Sequence, residues 1–323
     1  MKRILSLLLL AALLLSSLSV SFAEDAPMRV VALKGPTAMG MVKMMEDAKN
    51  GELPGVTFDM ASDIQLVTPM VVKGEVDVAA VPANVASVLY NNDGVDVQVL
   101  AVNTLGVLYI VESGDSVGSV EDLRGKTIYA SGKGATPEYA LNYILRGNGI
   151  DPEKDVTIEW KSEHAECLAV LTSQENAIAM LPQPFVTTAQ MKAEGLNVVL
   201  DLTEEWDRLQ EGVENPSALI TGAVIVRKDY AEAHRDELNA FMDAYADSVA
   251  FVNENVEDAA RLVGEFDIVP EAVAKKAIPA CKIVFVEGEE LKTRLSGYLS
   301  ELYTQNPKSV GGAVPADDFY YSR

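Results

Sequence analysis

Two kinds of hydrophobic pattern alternate along this chain. Short apolar runs that include β-branched residues, such as those at 28–33 and 127–130, predict buried strands. Each run is followed by a loop that contains glycine and then by a segment with helical spacing, marked in the first case by Met41, Met44 and Ala48. Strands that alternate with helices favour mostly parallel sheets with right-handed crossovers. The pattern therefore predicts an α/β fold.

The chain repeats itself at an offset of about 100 residues. The sequence KGPT at 34–37 returns as KGAT at 133–136, and VAAVP ending at Pro82 returns as IAMLP ending at Pro182. Two further matches keep the same order and spacing: 56–63 with 156–163, and 97–100 with 197–200. Four ordered matches indicate a duplication, so we expect two similar lobes that face each other across a cleft.

A pair of similar strands marks the places where the chain passes between the lobes. The sequence GVLYIV that starts at Gly106 resembles GAVIV that starts at Gly222. We therefore expect residues 24–113 and 215–323, with the C-terminal helices, to form the first lobe. Residues 114–214 are expected to form the second lobe.

Residues 1–23 have the form of a secretory signal peptide. A cationic start precedes an apolar run, and the sequence SFA supplies small residues up to Ala23. An uncleaved membrane anchor is the alternative, but the apolar run is short for a bilayer. The first cysteine is Cys167, so we expect no lipid at the N-terminus. We expect an exported chain, periplasmic or secreted, with its signal peptide cleaved after Ala23.

Charge and cysteine content narrow the class of protein. The formal net charge is −22, and removal of Lys2 and Arg3 with the leader lowers it by two, to −24. Such acidity argues against nucleic acids and anionic membranes as partners, and we expect a monomer. Cys167 and Cys281 are predicted to fall in different lobes, where a disulfide would restrain the hinge, so we expect both thiols to be free and buried.

The chain has few residues suited to catalysis. Its two histidines are His164 and His234. The sequence HAE at 164–166 resembles a zinc-deaminase element, but the later cysteine pair is missing. The sequence GKT at 125–127 resembles the end of a phosphate loop, but it precedes a predicted strand where such a loop follows one. We therefore expect a binding protein with no catalytic residue, no metal and no cofactor.

Six loops, three from each copy, are predicted to line the cleft. Ligands of such sheets bind beyond the carboxyl ends of the strands, where loops lead into helix N-termini. Thr37, Thr136, Ser62 and Ser162 have an alternative role there as simple helix caps. The predicted binding residues are Lys34, Gly35, Pro36, Thr37, Ser62, Asn84, Lys133, Gly134, Ala135, Thr136, His164, Gln183 and Pro184.

The predicted cleft residues favour one class of ligand. Lys34 and Lys133 approach from opposite lobes, and helix N-termini attract negative charge, so we expect a small organic anion such as a sulfonate or carboxylate. A flat neutral heterocycle, such as a pyrimidine or flavin precursor, is the alternative. It would stack on an aromatic ring, with Trp160, Tyr129 and Trp206 as the candidates.

Four motifs carry a resemblance to a known family. They are KGPT at 34–37, GEVDVAAVP at 74–82, VEDLRGKTI at 120–128 and LPQPF at 181–185. With them the chain resembles the periplasmic solute-binding proteins of the nitrate, sulfonate, taurine and thiamine-precursor group, over nearly all of 28–323. The resemblance implies a two-lobed type II periplasmic-binding-protein fold. It also implies three partners: a small-molecule ligand, an ABC permease and the ATPase subunit of that permease.

Two other functions are compatible with a cleft of this kind. A ligand-sensing protein that serves a membrane receptor would have the same cleft and leader. An enzyme of the same fold, such as a menaquinone-pathway lyase, would normally lack the leader. We therefore expect the substrate-binding component of an ABC importer.

We predict that the exported protein begins at Glu24 and carries no lipid, because the small residues end at Ala23 and no cysteine lies nearby. Intact-mass spectrometry of the exported chain measures both properties. Added acyl mass, or a chain that retains Lys2, would contradict the prediction.

Overall fold

The computed structural model describes residues 26–92 and 94–323. The expected leader at 1–23 and its cleavage site lie outside the described residues. Within the two described ranges, no helix is both long enough and apolar enough to cross a membrane. These ranges form two β-sheets, each flanked by helices.

Eleven strands of the described chain form the two sheets. In chain order they are β1 (Met28–Leu33), β2 (Val56–Ala61), β3 (Val78–Pro82), β4 (Val97–Leu105), β5 (Leu108–Glu112), β6 (Thr127–Ser131), β7 (Thr157–Lys161), β8 (Ile178–Pro182), β9 (Asn197–Asp201), β10 (Ile220–Arg227) and β11 (Ile283–Val286). The first sheet has the order β11-β4-β10-β3-β1-β2, and the second has the order β7-β6-β8-β5-β9.

The two sheets share one topology, as the repeated sequence predicts. β1 is parallel to β2 and β3, and β6 is parallel in the same way to β7 and β8. The registers agree, because Val30 lies opposite Val78 and Ile128 lies opposite Ile178. Each sheet also receives an inserted antiparallel strand, β10 in the first and β5 in the second. The inserted strand makes both sheets mixed, a feature that strand and helix alternation does not reveal.

The inserted strands fix where the chain passes between the sheets. β4 ends in the first sheet and β5 begins in the second, so the first passage takes place at Gly106 and Val107. The expected boundary at residue 113 leaves β5 in the first lobe. In the structure β5 pairs with β8 and β9, which belong to the second sheet. The chain returns to the first sheet with β10.

Thirteen α-helices of the described chain flank the sheets. They are α1 (Pro36–Met39), α2 (Val42–Asn50), α3 (Ile64–Val72), α4 (Ala83–Tyr90), α5 (Thr136–Gly147), α6 (His164–Ser173), α7 (Phe185–Lys192), α8 (Leu202–Leu209), α9 (Lys228–Ala233), α10 (Arg235–Glu254), α11 (Val256–Glu265), α12 (Glu271–Ala277) and α13 (Gly288–Gln305). The last of these, α13, contacts β4 of the first sheet and α5 of the second lobe.

The largest hydrophobic core is continuous between the two sheets. It includes Val31 of β1, Ile128 of β6 and Leu295 of α13. At its centre Trp206 of α8 is fully buried, and its indole nitrogen donates a hydrogen bond to Ser217 Oγ at 3.1 Å. The Trp206 ring lies 4.0 Å from the ring of Tyr143 and 5.8 Å from that of Tyr298, measured between centroids. Trp206 therefore joins α5, α8 and α13.

The two cysteines are free and buried, which confirms the expectation for them. Cys167 belongs to a core cluster of the second lobe, and Cys281 packs with α10 to α12. Burial raises the pKa of the Cys167 thiol to about 11 and that of the Cys281 thiol to about 12. Both thiols are therefore protonated and poor nucleophiles near neutral pH.

We predict that Trp206→Ala lowers the free energy of unfolding by about 3–5 kcal/mol, because it removes a fully buried ring and leaves a cavity at the junction of three helices. Urea unfolding followed by circular dichroism measures the loss. Trp160→Ala, at a half-buried position, is the matched control and should cost clearly less. Equal losses in the two variants would contradict the central role of Trp206.

Candidate functional site

A cavity of about 320 Å³ lies between the two sheets. Both halves of the duplicated chain contribute to its walls, together with residues at the two passages between the sheets. The lining residues are Ile64, Pro82, Asn84, Val85, Val107, Leu108, Ala135, Thr136, Pro137, His164, Pro182 and Thr221.

The cavity lies at the carboxyl ends of parallel strands. Pro82 ends β3 and Pro182 ends β8. Ile64, Thr136 and His164 are the first residues of α3, α5 and α6. Helices that follow parallel strands begin at the same edge of the sheet, which is where such folds bind ligands. The duplication therefore directs helix N-termini from both lobes at one cavity.

Four helices begin at the cavity, and only α3 among them has a side-chain cap, which Asp63 provides. No side chain caps α4, α5 or α6. The backbone N–H groups of Asn84, Thr136 and His164 have no hydrogen-bond partner among the described residues. Unpaired N–H groups at the positive end of a helix attract anions and hydrogen-bond acceptors. Since no Asp, Glu, Lys or Arg of the described chain lines the cavity, these groups set its electrostatic character.

His164 is the ionisable side chain of the cavity wall. Its Nδ1 lies 2.5 Å from the hydroxyl oxygen of Ser131 at the end of β6. Its ring lies 5.1 Å from the half-exposed ring of Phe185, between centroids. Burial lowers the pKa of His164 below its ordinary value, so the imidazole is neutral near neutral pH.

Thr136 connects the cavity wall to the C-terminal helix. The Tyr298 hydroxyl of α13 donates a hydrogen bond of 3.0 Å to the Thr136 hydroxyl oxygen. Complete burial raises the pKa of Tyr298 far above its ordinary value, so this phenol remains a neutral donor. The first residue of α5 is thereby held by a helix that also contacts the first sheet.

The cavity wall includes Asn84, Ala135, Thr136 and His164 of the predicted binding residues. Gln183 and Pro184 follow directly on the lining residue Pro182, and a cis peptide bond joins them, but neither lines the cavity. The Gln183 side-chain oxygen accepts hydrogen bonds from the backbone N–H and the hydroxyl of Thr187, at 3.3 and 2.9 Å. This oxygen is therefore used to cap the first turn of α7.

The structure does not bring the two predicted lysines to the cavity. The ammonium nitrogen of Lys34 lies 2.7 Å from a carboxylate oxygen of Asp267 and also donates to the backbone carbonyl of that residue. Lys133 lines a separate cavity of about 550 Å³ between α5 and the edge strand β7, together with Glu138 and Arg146. The placement of the lysines therefore gives no support to an anion held between them.

The remaining predicted residues of the first copy also lie off the cavity wall. Gly35, with a φ of 126°, is the N-cap of α1, and Pro36 is the first residue of that helix. Thr37 consequently lies inside α1 and does not cap it, and its carbonyl accepts a hydrogen bond of 3.0 Å from Asn103. Ser62 is exposed beside the residue that caps α3.

The second copy departs from the predicted caps in the same way. Ala135, not Thr136, is the N-cap of α5, and Glu163, not Ser162, is the N-cap of α6. Gly134 has a φ of 79°, and its N–H donates to the carboxylate of the first-turn residue Glu138 at 2.6 Å. Gly134 therefore shapes the loop and does not line the cavity.

The residues that the sequence analysis missed are mostly apolar. Val107 and Leu108 lie at the first passage between the sheets, and Thr221 lies at the return passage. Ile64 is the counterpart of His164 in the repeat, which was the available signal for its position. Apolar residues of this kind do not stand out in sequence, because strand ends and helix starts of any α/β protein carry them.

Comparison with solved structures finds the same architecture. An ABC transporter structure from Parabacteroides distasonis is 22% identical, with a TM-score of 0.75 over 93% of this chain and 100% of that one. The periplasmic aliphatic sulphonate-binding protein SsuA from Escherichia coli is 14% identical, with a TM-score of 0.72 over 93% of each chain. The periplasmic nitrate-binding protein NrtA from Synechocystis PCC 6803 is 13% identical, with a TM-score of 0.61 over 88% and 82% of the two chains. These likenesses confirm the predicted type II periplasmic-binding-protein fold.

Sequence comparison supplies the family. A search of curated proteins finds no match to this sequence. The family model for periplasmic substrate-binding proteins of phosphonate ABC transporters matches residues 42–267, more than two thirds of the chain. Members of this family bind and deliver ligands, so the expectation of a binding protein that is not an enzyme is confirmed. The chain belongs to the phosphonate-binding family of periplasmic substrate-binding proteins of ABC transporters.

Proposed function

We propose that this substrate-binding component of an ABC importer captures a small organic anion with an apolar part in the cavity between its lobes. One observation carries the proposal: three uncapped helix N-termini, from both lobes, meet at a cavity without charged side chains. The permease and its ATPase subunit would receive the ligand. The family is periplasmic, and we propose that the leader is removed after Ala23.

Backbone groups alone supply enough attraction for an anion. A helix N-terminus contributes about 0.3–1 kcal/mol to an exposed anion, and up to about 2 kcal/mol where the site is partly buried. Three such termini act on this cavity, and the Asn84 amide nitrogen, which donates one hydrogen to the Ser309 carbonyl at 3.3 Å, has a second hydrogen to offer. A lysine in the cavity wall is therefore not required.

The apolar walls favour an organic ligand over an inorganic ion. Ile64, Val85, Val107, Leu108 and Pro137 offer surface that an alkyl or aryl group can cover. A volume of about 320 Å³ is at the small end for ligand pockets, which favours a small molecule. An aliphatic sulphonate, the ligand in the name of Escherichia coli SsuA, combines an anionic head with an apolar tail in the same way.

A neutral heterocycle is the second candidate, because the walls are apolar and His164 is neutral. The three predicted stacking residues give it little support. Trp206 is fully buried in the core, Trp160 lines the separate cavity near α5, and the Tyr129 ring lies under the ammonium group of Lys161. Phe185 is the better placed ring, because it lies beside His164.

We also propose that the lobes close on the ligand about the two passages of the chain. We assign residues 26–105 and 220–323 to the first lobe and residues 108–201 to the second, and we retain a monomer. A Cβ atom added to Gly106 would lie only 2.4 Å from Thr203 Oγ1 and 2.6 Å from Leu219. The absence of a side chain there lets the two passages pack against each other, as a hinge requires.

We predict that Val85→Asp weakens the binding of butane-1-sulfonate about a hundredfold relative to Val85→Asn. The two side chains differ in charge but hardly in shape, and two negative charges about 5 Å apart repel by about 3 kcal/mol at an effective dielectric constant near 20. Aspartate in the first turn of α4 is compatible with the helix, so both variants should fold. Titration calorimetry measures the affinities, with butane-1-sulfonamide as the neutral probe.

Lys34→Ala and Lys133→Ala are the control variants for this prediction. Both lysines lie away from the cavity, so each variant should bind the sulfonate within about threefold of wild type. A large loss in either would show that the ligand is held by the lysines after all. If the Asp and Asn variants bind alike, or if only the sulfonamide binds, the ligand is not an anion.

A further inference from the structure

Two polar side chains of the second lobe replace two apolar ones of the first. Leu33 lies opposite Ala61 in the first sheet, and Ser131 lies opposite Lys161 in the second, so Leu33 and Ser131 occupy the same place in the repeated topology. Ile64 and His164 likewise both begin the helix that follows the second strand. One lobe therefore has two apolar residues where the other has a hydrogen-bonded pair, which indicates that Ser131 and His164 act together.

The Ser131 hydroxyl is committed to His164. Ser131 is 3% exposed, and among the described residues its hydroxyl contacts only the Nδ1 of His164, at 2.5 Å. A neutral imidazole carries one proton, so either the hydroxyl donates to Nδ1 or Nδ1–H donates to the hydroxyl. In the first case Nε2 carries the proton, and in the second Nε2 is an acceptor.

We propose that the Ser131 hydroxyl donates to Nδ1 and so holds His164 as the Nε2–H tautomer, which donates a hydrogen bond to the ligand. Three residues that line the cavity have unpaired backbone N–H groups, so we expect the polar group of a ligand there to be an acceptor. A lone pair on Nε2 would repel that acceptor, whereas Nε2–H joins the other donors. His164 is then a binding residue and Ser131 its positioning residue. The inference rests on the proposed function, because an acceptor ligand is what favours Nε2–H over Nδ1–H, but the tautomer itself can be measured without a ligand.

The pH dependence follows from the groups around the ring. No Asp, Glu, Lys or Arg of the described chain lines the cavity. On the neighbouring segments Lys161 pairs with Glu159, and four other charged residues are exposed: Asp63, Lys133, Glu163 and Glu166. The thiol of Cys167 is neutral. Without an acidic partner, burial lowers the pKa of His164. As pH falls through that pKa, the ring gains a positive charge and an anion should bind more tightly.

The tautomer can be measured without a ligand. The chain has two histidines, so protein labelled with ¹⁵N-histidine gives two imidazole spin systems in long-range ¹H–¹⁵N spectra. His164→Gln assigns them by removing one, and His234, which stacks on Tyr230, remains as the reference. We expect His164 of the wild-type protein to be in the Nε2–H form at pH 7.5. An Nδ1–H form would overturn the proposal.

Ser131→Ala tests the positioning role. Without the hydroxyl, the Nδ1 signal should move toward the value averaged between tautomers. Ser248→Ala is the matched control, because it removes an equally buried hydroxyl in the first lobe that donates to the carbonyl of Gly40. This control should leave the His164 signals unchanged. An unchanged tautomer in Ser131→Ala would overturn the role of Ser131, and the wild-type spectrum decides the tautomer even if the variant does not fold.

The binding arm uses butane-1-sulfonate, whose own charge is constant over the pH range. Affinity of the wild-type protein should rise as pH falls from 7.5 to 5.5, and His164→Leu should bind about tenfold more weakly at pH 7.5 and lose this rise. His164→Gln, which keeps a donor, should recover part of the affinity without the rise. A pH profile that is the same in His164→Leu overturns the proposal. If the sulfonate fails to bind while the Nε2–H form is present, the anion assignment fails and the tautomer stands.

Discussion

Hydrogen bonding between each sheet and the strand that arrives from the other lobe determines much of this structure. β5 pairs with β8 and β9, and β10 pairs with β3 and β4, so neither sheet is complete until the chain has passed between them. The two passages therefore lie side by side, at the starts of the inserted strands. Val107, Leu108 and Thr221 enter the cavity wall for this reason, and the loops after β3 and β8 enclose the rest.

Duplication makes the two lobes alike in backbone but not in chemistry. The same helix starts appear on both sides of the cavity, yet the second lobe places His164 where the first lobe places Ile64. A site built from two copies can thus bind a molecule with two different ends. In the proposed function, the backbone donors of both copies attract the polar end of the ligand, and the side chains orient that end.

The sequence was sufficient to predict two similar α/β lobes, because four repeated segments keep nearly the same spacing, but it did not reveal the antiparallel strand inserted into each sheet. It was also sufficient to place Asn84 and Thr136 beside the cavity, because the order of strands and helices fixes where parallel strands end, whereas their role in binding stays a prediction. The sequence was not sufficient to predict where the side chains of Lys34 and Lys133 lie. Lys34 is turned toward Asp267, which is remote in sequence, and Lys133 lies between two glycines with positive φ, whose turns no pattern reveals. The observed N-caps each lie one or two residues from the predicted ones, at Gly35, Asp63, Ala135 and Glu163.

The hydrogen bond between Tyr298 and Thr136 links the cavity wall to the buried aromatic cluster of Tyr143, Trp206 and Tyr298. The Tyr298 hydroxyl bonds to Thr136 on the cavity wall, and the Tyr298 ring lies beside Trp206. A single side chain, that of Tyr298, therefore lies between the start of α5 and the indole. We therefore expect the intrinsic emission of Trp206 to change when the cavity is occupied, which would let the protein report its ligand without an attached dye.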